Sequence, residues 1–96
     1  MSTAYVIANI RVTDPEKFDE YKRLSTAAVQ AQGGRFLIRG GRVVSLEGTW
    51  TPNRLTLIEF PSWEKAETFV RSAEYGRDRE ARPDAAFFDM IVVEGI

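Results

Sequence analysis

Four side chains carry the groups that a proton-transfer or oxyanion site needs. They are the carboxylate of Glu59, the guanidinium groups of Arg11 and Arg39, and the amide of Asn9. An arginine fork matches the two oxygens of a carboxylate or the oxygen of an enolate. A glutamate in an apolar wall can have its pKa raised toward a value useful for moving a proton. Glu59 and Arg39 are therefore the candidate catalytic residues, with Glu59 as base or orienter. Asn9 and Arg11 are candidate ligand donors. Tyr5 and Tyr21 add hydroxyls, and Trp50 adds a flat surface that could stack on a planar ligand. Each residue also has a plainer use. Glu59 and Arg11 could form a rim ion pair, a buried tyrosine usually bonds to a structural partner, and Trp50 could plug the end of a core or a neighbouring subunit.

Composition narrows the chemistry. Histidine and cysteine are both absent, which removes thiol nucleophiles, disulfides, serine–histidine catalysis, imidazole-ligated haem and most zinc sites. No acidic ligand run of the D-x-D-x-D kind is present, so neither a cofactor nor a metal is expected. The formal net charge is -1, which gives no global field for nucleic acid or an anionic membrane. Arg77-Asp78-Arg79-Glu80 alternates in sign and reads as a self-paired, solvated surface. No apolar run approaches the roughly 18 residues that span a bilayer, and "MSTAYVIANIRV" lacks the basic and apolar regions of a targeting signal. The expectation is a cytoplasmic protein of one domain, residues 1–96.

The elements that must position the candidate residues follow from periodicity. Ala4–Val12 alternates as a strand. Asp14 then supplies an N-cap, Pro15 suits the first helical position, and Phe18, Tyr21, Leu24, Ser25, Ala28 and Val29 recur at helical spacing. Gly33-Gly34 ends that helix. Arg35 to Glu47 reads as extended, Gly48–Asn53 as a turn, and Arg54–Phe60 as a strand. Ser62 caps a second helix with the stripe Trp63, Ala66, Phe69, Val70 and Ala73. Glu74–Asp84 is polar and irregular, and Phe87 to Glu94 closes as a strand. The order β-α-β-β-α-β predicts an α+β, ferredoxin-like antiparallel sheet with both helices on one face.

Two helices cover only one face. Val6, Ala8, Ile10, Phe36, Ile38, Ile58 and Phe60 are assigned to the covered side. The open side then carries Tyr5, Ile7, Leu37, Leu55 and Leu57 together with Asn9, Arg11, Arg39 and Glu59. That side is too apolar for a solvated face, and a second copy stacked sheet to sheet would bury it. The expectation is a homodimer whose sheets enclose a pocket for a small molecule. A monomer with an apolar pocket is the alternative.

"RFLIRGGRVVSLEG" holds the remaining ambiguity. The glycines are not a phosphate loop, because neither a helix nor a lysine with Ser or Thr follows them. A two-residue Gly40-Gly41 hairpin is one reading. A strand bent at the glycines, with Val43, Val44 and Leu46 pairing to Arg54–Phe60, is the preferred one.

"AYVIANIRVTDPEKFDEYK", "GGRFLIRGG", "LEGTWTPNRLTLIEFPS", "SAEY" and the closing "VEG" resemble a family of small bacterial proteins known as domain of unknown function 1330. The resemblance spans nearly the whole chain. It implies a dimeric α+β barrel, in a group that includes cofactor-independent monooxygenases and isomerase-like proteins, and it implies no particular activity. The positions it marks are Tyr5, Asp14, Tyr21, Arg35, Arg39, Gly40, Gly41, Trp50, Arg54, Glu59 and Tyr75. Three functions stay open: a cofactor-free enzyme on a small oxygen-bearing molecule, a non-catalytic metabolite-binding module, and a structural dimer with a filled barrel.

Overall fold

The computed structural model describes residues 3–71 and 85–96. The chain runs β1 (Ala4–Val12), α1 (Pro15–Ala31), β2 (Arg35–Arg39), β3 (Arg54–Phe60), α2 (Trp63–Arg71) and β4 (Ala86–Glu94). The four strands form one antiparallel sheet in the order β2-β3-β1-β4, with two helices, as the ferredoxin-like reading requires. The sequence readings at Ala73, Tyr75 and Glu74–Asp84 lie outside the described residues.

Local chemistry sets the helix starts. Asp14 is extended (φ -137°, ψ 101°), and its Oδ1 accepts from the backbone N–H of Glu16 and Lys17 at 3.1 and 3.2 Å. Pro15 follows at a position that needs no N–H donor. Ser62 Oγ accepts from Lys65 N–H at 3.2 Å in front of α2. Gly33 closes α1 at φ 71°, where an L side chain would be strained.

The core lies between the helices and one sheet face. Val6, Ala8, Ile10, Ile58 and Phe60 point inward from β1 and β3. Phe18, Tyr21, Ala28 and Val29 of α1 and Ala66 and Phe69 of α2 meet them. Phe60 and Phe69 touch at 5.1 Å between ring centroids. Each large apolar side chain buried this way stabilises the fold by about 1.5–3 kcal/mol.

Two expectations fail around β2. Phe36 pairs with Ile58, but Ile38 pairs with Leu57 and Arg39 with Thr56, so a bulge separates Phe36 from Ile38. One extra residue reverses the alternation beyond it. Ile38 therefore joins the open face, and Arg39 turns to the helix side. The strand also stops early. Gly40 donates the last cross-strand bond to Leu55 O at 2.9 Å and takes φ 77°. Residues 41–53 then form an irregular arm rather than a continued strand or a two-residue hairpin. The expected partner, β3, is already paired on both sides, by β1 and β2. Val44 is 73% exposed and Leu46 94%.

Candidate functional site

Register places the open-face groups. Tyr5, Ile7, Asn9 and Arg11 of β1 face the same way as Leu55, Leu57 and Glu59 of β3, because Tyr5 pairs with Glu59, Ile7 with Leu57 and Asn9 with Leu55. On the other side, β4 adds Val93, Ile91, Asp89 and Phe87, opposite Tyr5, Ile7, Asn9 and Arg11 in turn. Much of this surface is apolar and uncovered. Phe87 is 61% exposed and Ile91 57%.

Three separate polar groupings lie on it. At one end the Tyr5 hydroxyl donates to Glu59 Oε2 at 3.3 Å, and Arg35 Nε donates to Glu59 Oε1 at 2.8 Å. Thr3 Oγ1 donates to the Tyr5 oxygen at 3.2 Å. At the other end the Arg11 guanidinium sits 4.5 Å from the centre of the Phe87 ring. Arg11 is six residues along β1 from Tyr5, about 20 Å at strand rise. The expected Glu59–Arg11 approach therefore does not occur, and Arg35 is the actual partner of Glu59.

Between these ends is a cleft of about 170 Å³ lined by Ile7, Asn9, Trp50, Leu55, Asp89, Met90 and Ile91. Trp50 reaches it from the arm. Asn9 Oδ1 accepts from Asn53 N–H at 2.9 Å, which fixes the start of β3 beneath the cleft. That bond uses the amide oxygen, so the Asn9 NH2 is the donor left for a ligand. A further hollow of about 360 Å³ lies along the arm, bounded by Val43, Val44, Leu46, Pro52 and Leu55, and it shares Trp50 with the cleft.

Arg39 and Tyr21 belong to the opposite, helix-covered side. Tyr21 is buried, with ring centroids 5.5 Å from Phe18 and 5.0 Å from Phe88. Arg39 lies flat on Phe36, its guanidinium carbon 3.9 Å from the ring centre. It donates to Thr26 Oγ1 and to Lys22 O, both at 2.9 Å. The two expected catalytic residues, Glu59 and Arg39, are therefore on different faces of the sheet. Among the described residues no three carboxylates gather as a metal site would need.

Strand parity adds Asp89, which the sequence reading does not name, and gives a place to Arg54, which only the resemblance marks. Asp89 is polar between Phe87 and Ile91 on β4, so alternation alone places it on the open face. Arg54 shares its strand parity with buried Thr56, Ile58 and Phe60, so it is an arginine at an inward-facing position.

The family model for a domain of unknown function, DUF1330, matches residues 3–96. The chain belongs to this family. No curated protein matches it. Among solved structures the DUF1330 chain resembles RPA0582, a protein of unknown function from Rhodopseudomonas palustris. The TM-score is 0.74 at 18% identity, covering 99% of this chain and 83% of that one. It also resembles SnoaB, a cofactor-independent oxygenase from Streptomyces nogalater, with TM-score 0.63 and 9% identity over 96% and 91% of the two chains. A putative antibiotic biosynthesis monooxygenase from Nitrosomonas europaea aligns with TM-score 0.57 and 16% identity over 98% and 90%. At these identities the likeness is one of fold. The DUF1330 chain has the α+β fold of monooxygenase-like barrel proteins, and no described helix is long and apolar enough to cross a membrane.

Proposed function

We propose that this chain forms a homodimer through its open sheet face, and that the cleft under Trp50 binds a small, partly apolar, oxygen-bearing molecule. The cleft carries this reading. Apolar walls from Ile7, Leu55 and Ile91 surround one neutral donor, Asn9, and one carboxylate, Asp89. A few convergent polar groups in an apolar wall are the usual character of a small-molecule site. A second copy laid on the same face would cover Phe87, Ile91 and Val93 and close the cleft from above.

The chemistry that fits is cofactor-free. Asp89 accepts a proton from an enolisable carbon, and the Asn9 amide donates to the enolate oxygen that forms. The enolate then either takes its proton back at another carbon, as in an isomerase, or passes electrons to dioxygen, as in a monooxygenase. The oxygenase-like neighbours favour the second outcome. Glu59 is four residues from Leu55 along β3, about 13 Å from the Asn9 level, and is already held by Tyr5 and Arg35. That distance favours Asp89 over Glu59 as the base. It also supports a second reading, in which the pocket binds a metabolite without reaction and the Glu59 cluster only braces the sheet.

The test is oxygen uptake by the purified chain with an enolisable polycyclic phenol, beside equilibrium binding of the same compound under nitrogen. The enzyme reading expects uptake that falls about a hundredfold or more in Asp89→Asn while binding persists. Binding without uptake leaves the metabolite-binding reading. Absence of binding, or binding unchanged in a Trp50→Ala, Asn9→Ala double variant, overturns the cleft as the site.

A further inference from the structure

The helix side of the sheet holds a group of cations that the cleft does not use. A pocket of about 370 Å³ opens between α1 and the base of β2 and β3, lined by Lys22, Arg23, Thr26, Arg39 and Arg54. Of the described residues that line it, four of five are cationic and none is acidic. Two of the cations are matched locally, since Lys22 pairs with Asp19 at 3.3 Å and Arg23 pairs with Glu20. Arg39 and Arg54 have no carboxylate partner among the described residues.

These two guanidinium groups are nevertheless held together. Arg39 is fixed by Thr26, by the Lys22 carbonyl and by the Phe36 ring. Arg54 folds back over Gly40, its guanidinium carbon 5.3 Å from the Phe18 ring centre, and reaches the Arg39 carbonyl only at 3.4 Å. Its Nε is buried with no hydrogen-bond partner among the described residues. Buried donors are almost always satisfied, and one left open beside a cavity calls for an acceptor. Burial, and then the charge of Arg54, push the Arg39 guanidinium below its ordinary pKa. Among the described residues the fold thus keeps two like charges close without a counter-charge.

We propose that this pocket binds a small oxyanion carrying two negative charges. Charge count gives the valence: with Lys22 and Arg23 neutralised by Asp19 and Glu20, Arg39 and Arg54 leave two positive charges to be met. Planar forks give the class, because guanidinium pairs suit the paired oxygens of phosphates and dicarboxylates. The unused N–H groups of both arginines supply the donors, while the Thr26 hydroxyl, which donates to Lys22 O at 2.9 Å, only holds Arg39 in place. Below the mouth, Lys22, Arg39 and Arg54 also border an enclosed space of about 20 Å³ walled by Ile10, Phe18 and Ile58. That is room for roughly one water, so the anion sits in the open part. The site is on the opposite face from the Trp50 cleft and stands whether or not the cleft binds anything.

The experiment is isothermal titration calorimetry of the full chain at fixed ionic strength. Inorganic phosphate and succinate are titrated separately, with acetate as the singly charged comparison. The expected result is saturable binding of one dianion per chain, with acetate much weaker. Binding of phosphate alone assigns a phosphoryl ligand, and binding of succinate alone assigns a dicarboxylate. Arg54→Gln weakens binding by about tenfold or more, and Arg39→Gln does the same. Arg71→Gln, an exposed cation already paired with Glu67, leaves binding unchanged. Arg39 also ties α1 to β2, so circular dichroism accompanies each variant, and Arg54→Gln decides the matter if Arg39→Gln loses helix. No saturable binding of either dianion, or equal binding by wild type and Arg54→Gln, overturns the proposal.

Discussion

Replacing Gly40 with alanine tests the geometry that joins β2, Arg54 and the cationic pocket. Gly40 sits at φ 77°, where an alanine is strained. Left-handed backbone costs an ordinary residue about 1–2 kcal/mol. An added Cβ would also overlap the Arg54 guanidinium, the flexible end of its side chain. That overlap is relieved when Arg54 swings away, so backbone strain dominates the stability loss and the displaced arginine shows in anion binding. For a domain of this size, 1–2 kcal/mol corresponds to a fall in melting temperature of roughly 4–16 °C. Gly41 is the internal control, since it lacks positive φ and a Cβ there meets nothing within 4 Å. Gly41→Ala should stay within about 0.5 kcal/mol of wild type. Chemical denaturation of Gly40→Ala, Gly41→Ala, Arg54→Ala and the Gly40→Ala, Arg54→Ala pair gives the cycle. In the Arg54→Ala background the overlap is gone, so Gly40→Ala should cost less there than in wild type. Gly40→Ala as harmless as Gly41→Ala would refute the reasoning.

Other consequences are simpler to state. Phe69→Ala empties the centre of the α2 contact with Phe60 and should cost about 3–5 kcal/mol by denaturant titration. Glu59→Gln weakens an ion pair whose Arg35 side is 72% exposed, so stability should drop by less than about 1 kcal/mol. A larger loss would mean that Glu59 anchors more than Tyr5 and Arg35. Ile91→Lys places a charge at the centre of the open face, and it should leave the circular dichroism spectrum intact while producing monomers in sedimentation velocity.

The parts of the fold written in local chemistry were legible in the sequence. Asp14 and Pro15 announce α1 because a cap and a missing donor are properties of neighbouring residues. The alternation of β1 and β3 is strict, so Val6, Ala8, Ile10, Ile58 and Phe60 could be placed inward before any pairing was known. The stretch around β2 was not legible, because its pattern is decided by a partner strand. Nothing in "RFLIR" marks the bulge, and that one residue moves Arg39 away from Glu59. Val43, Val44 and Leu46 have the residue types of a strand, but the β3 strand they were expected to pair with is already hydrogen-bonded on both sides, by β1 and β2. The candidate site suffered accordingly. Tyr5, Asn9, Arg11 and Glu59 lie on the predicted face and Tyr21 is buried in the α1 stripe where its spacing put it, whereas Arg39 belongs to the other side. Asp89 is readable from strand parity alone, lying between Phe87 and Ile91, and parity gives Arg54, which the resemblance marks, its inward-facing place.

In the proposed dimer a second copy covers the open face and closes the Trp50 cleft. Sedimentation equilibrium of the wild-type chain at micromolar concentration measures this directly. The expected result is twice the mass of one chain, returning to a single mass in Ile91→Lys. A wild-type chain that sediments as one copy at that concentration would contradict it.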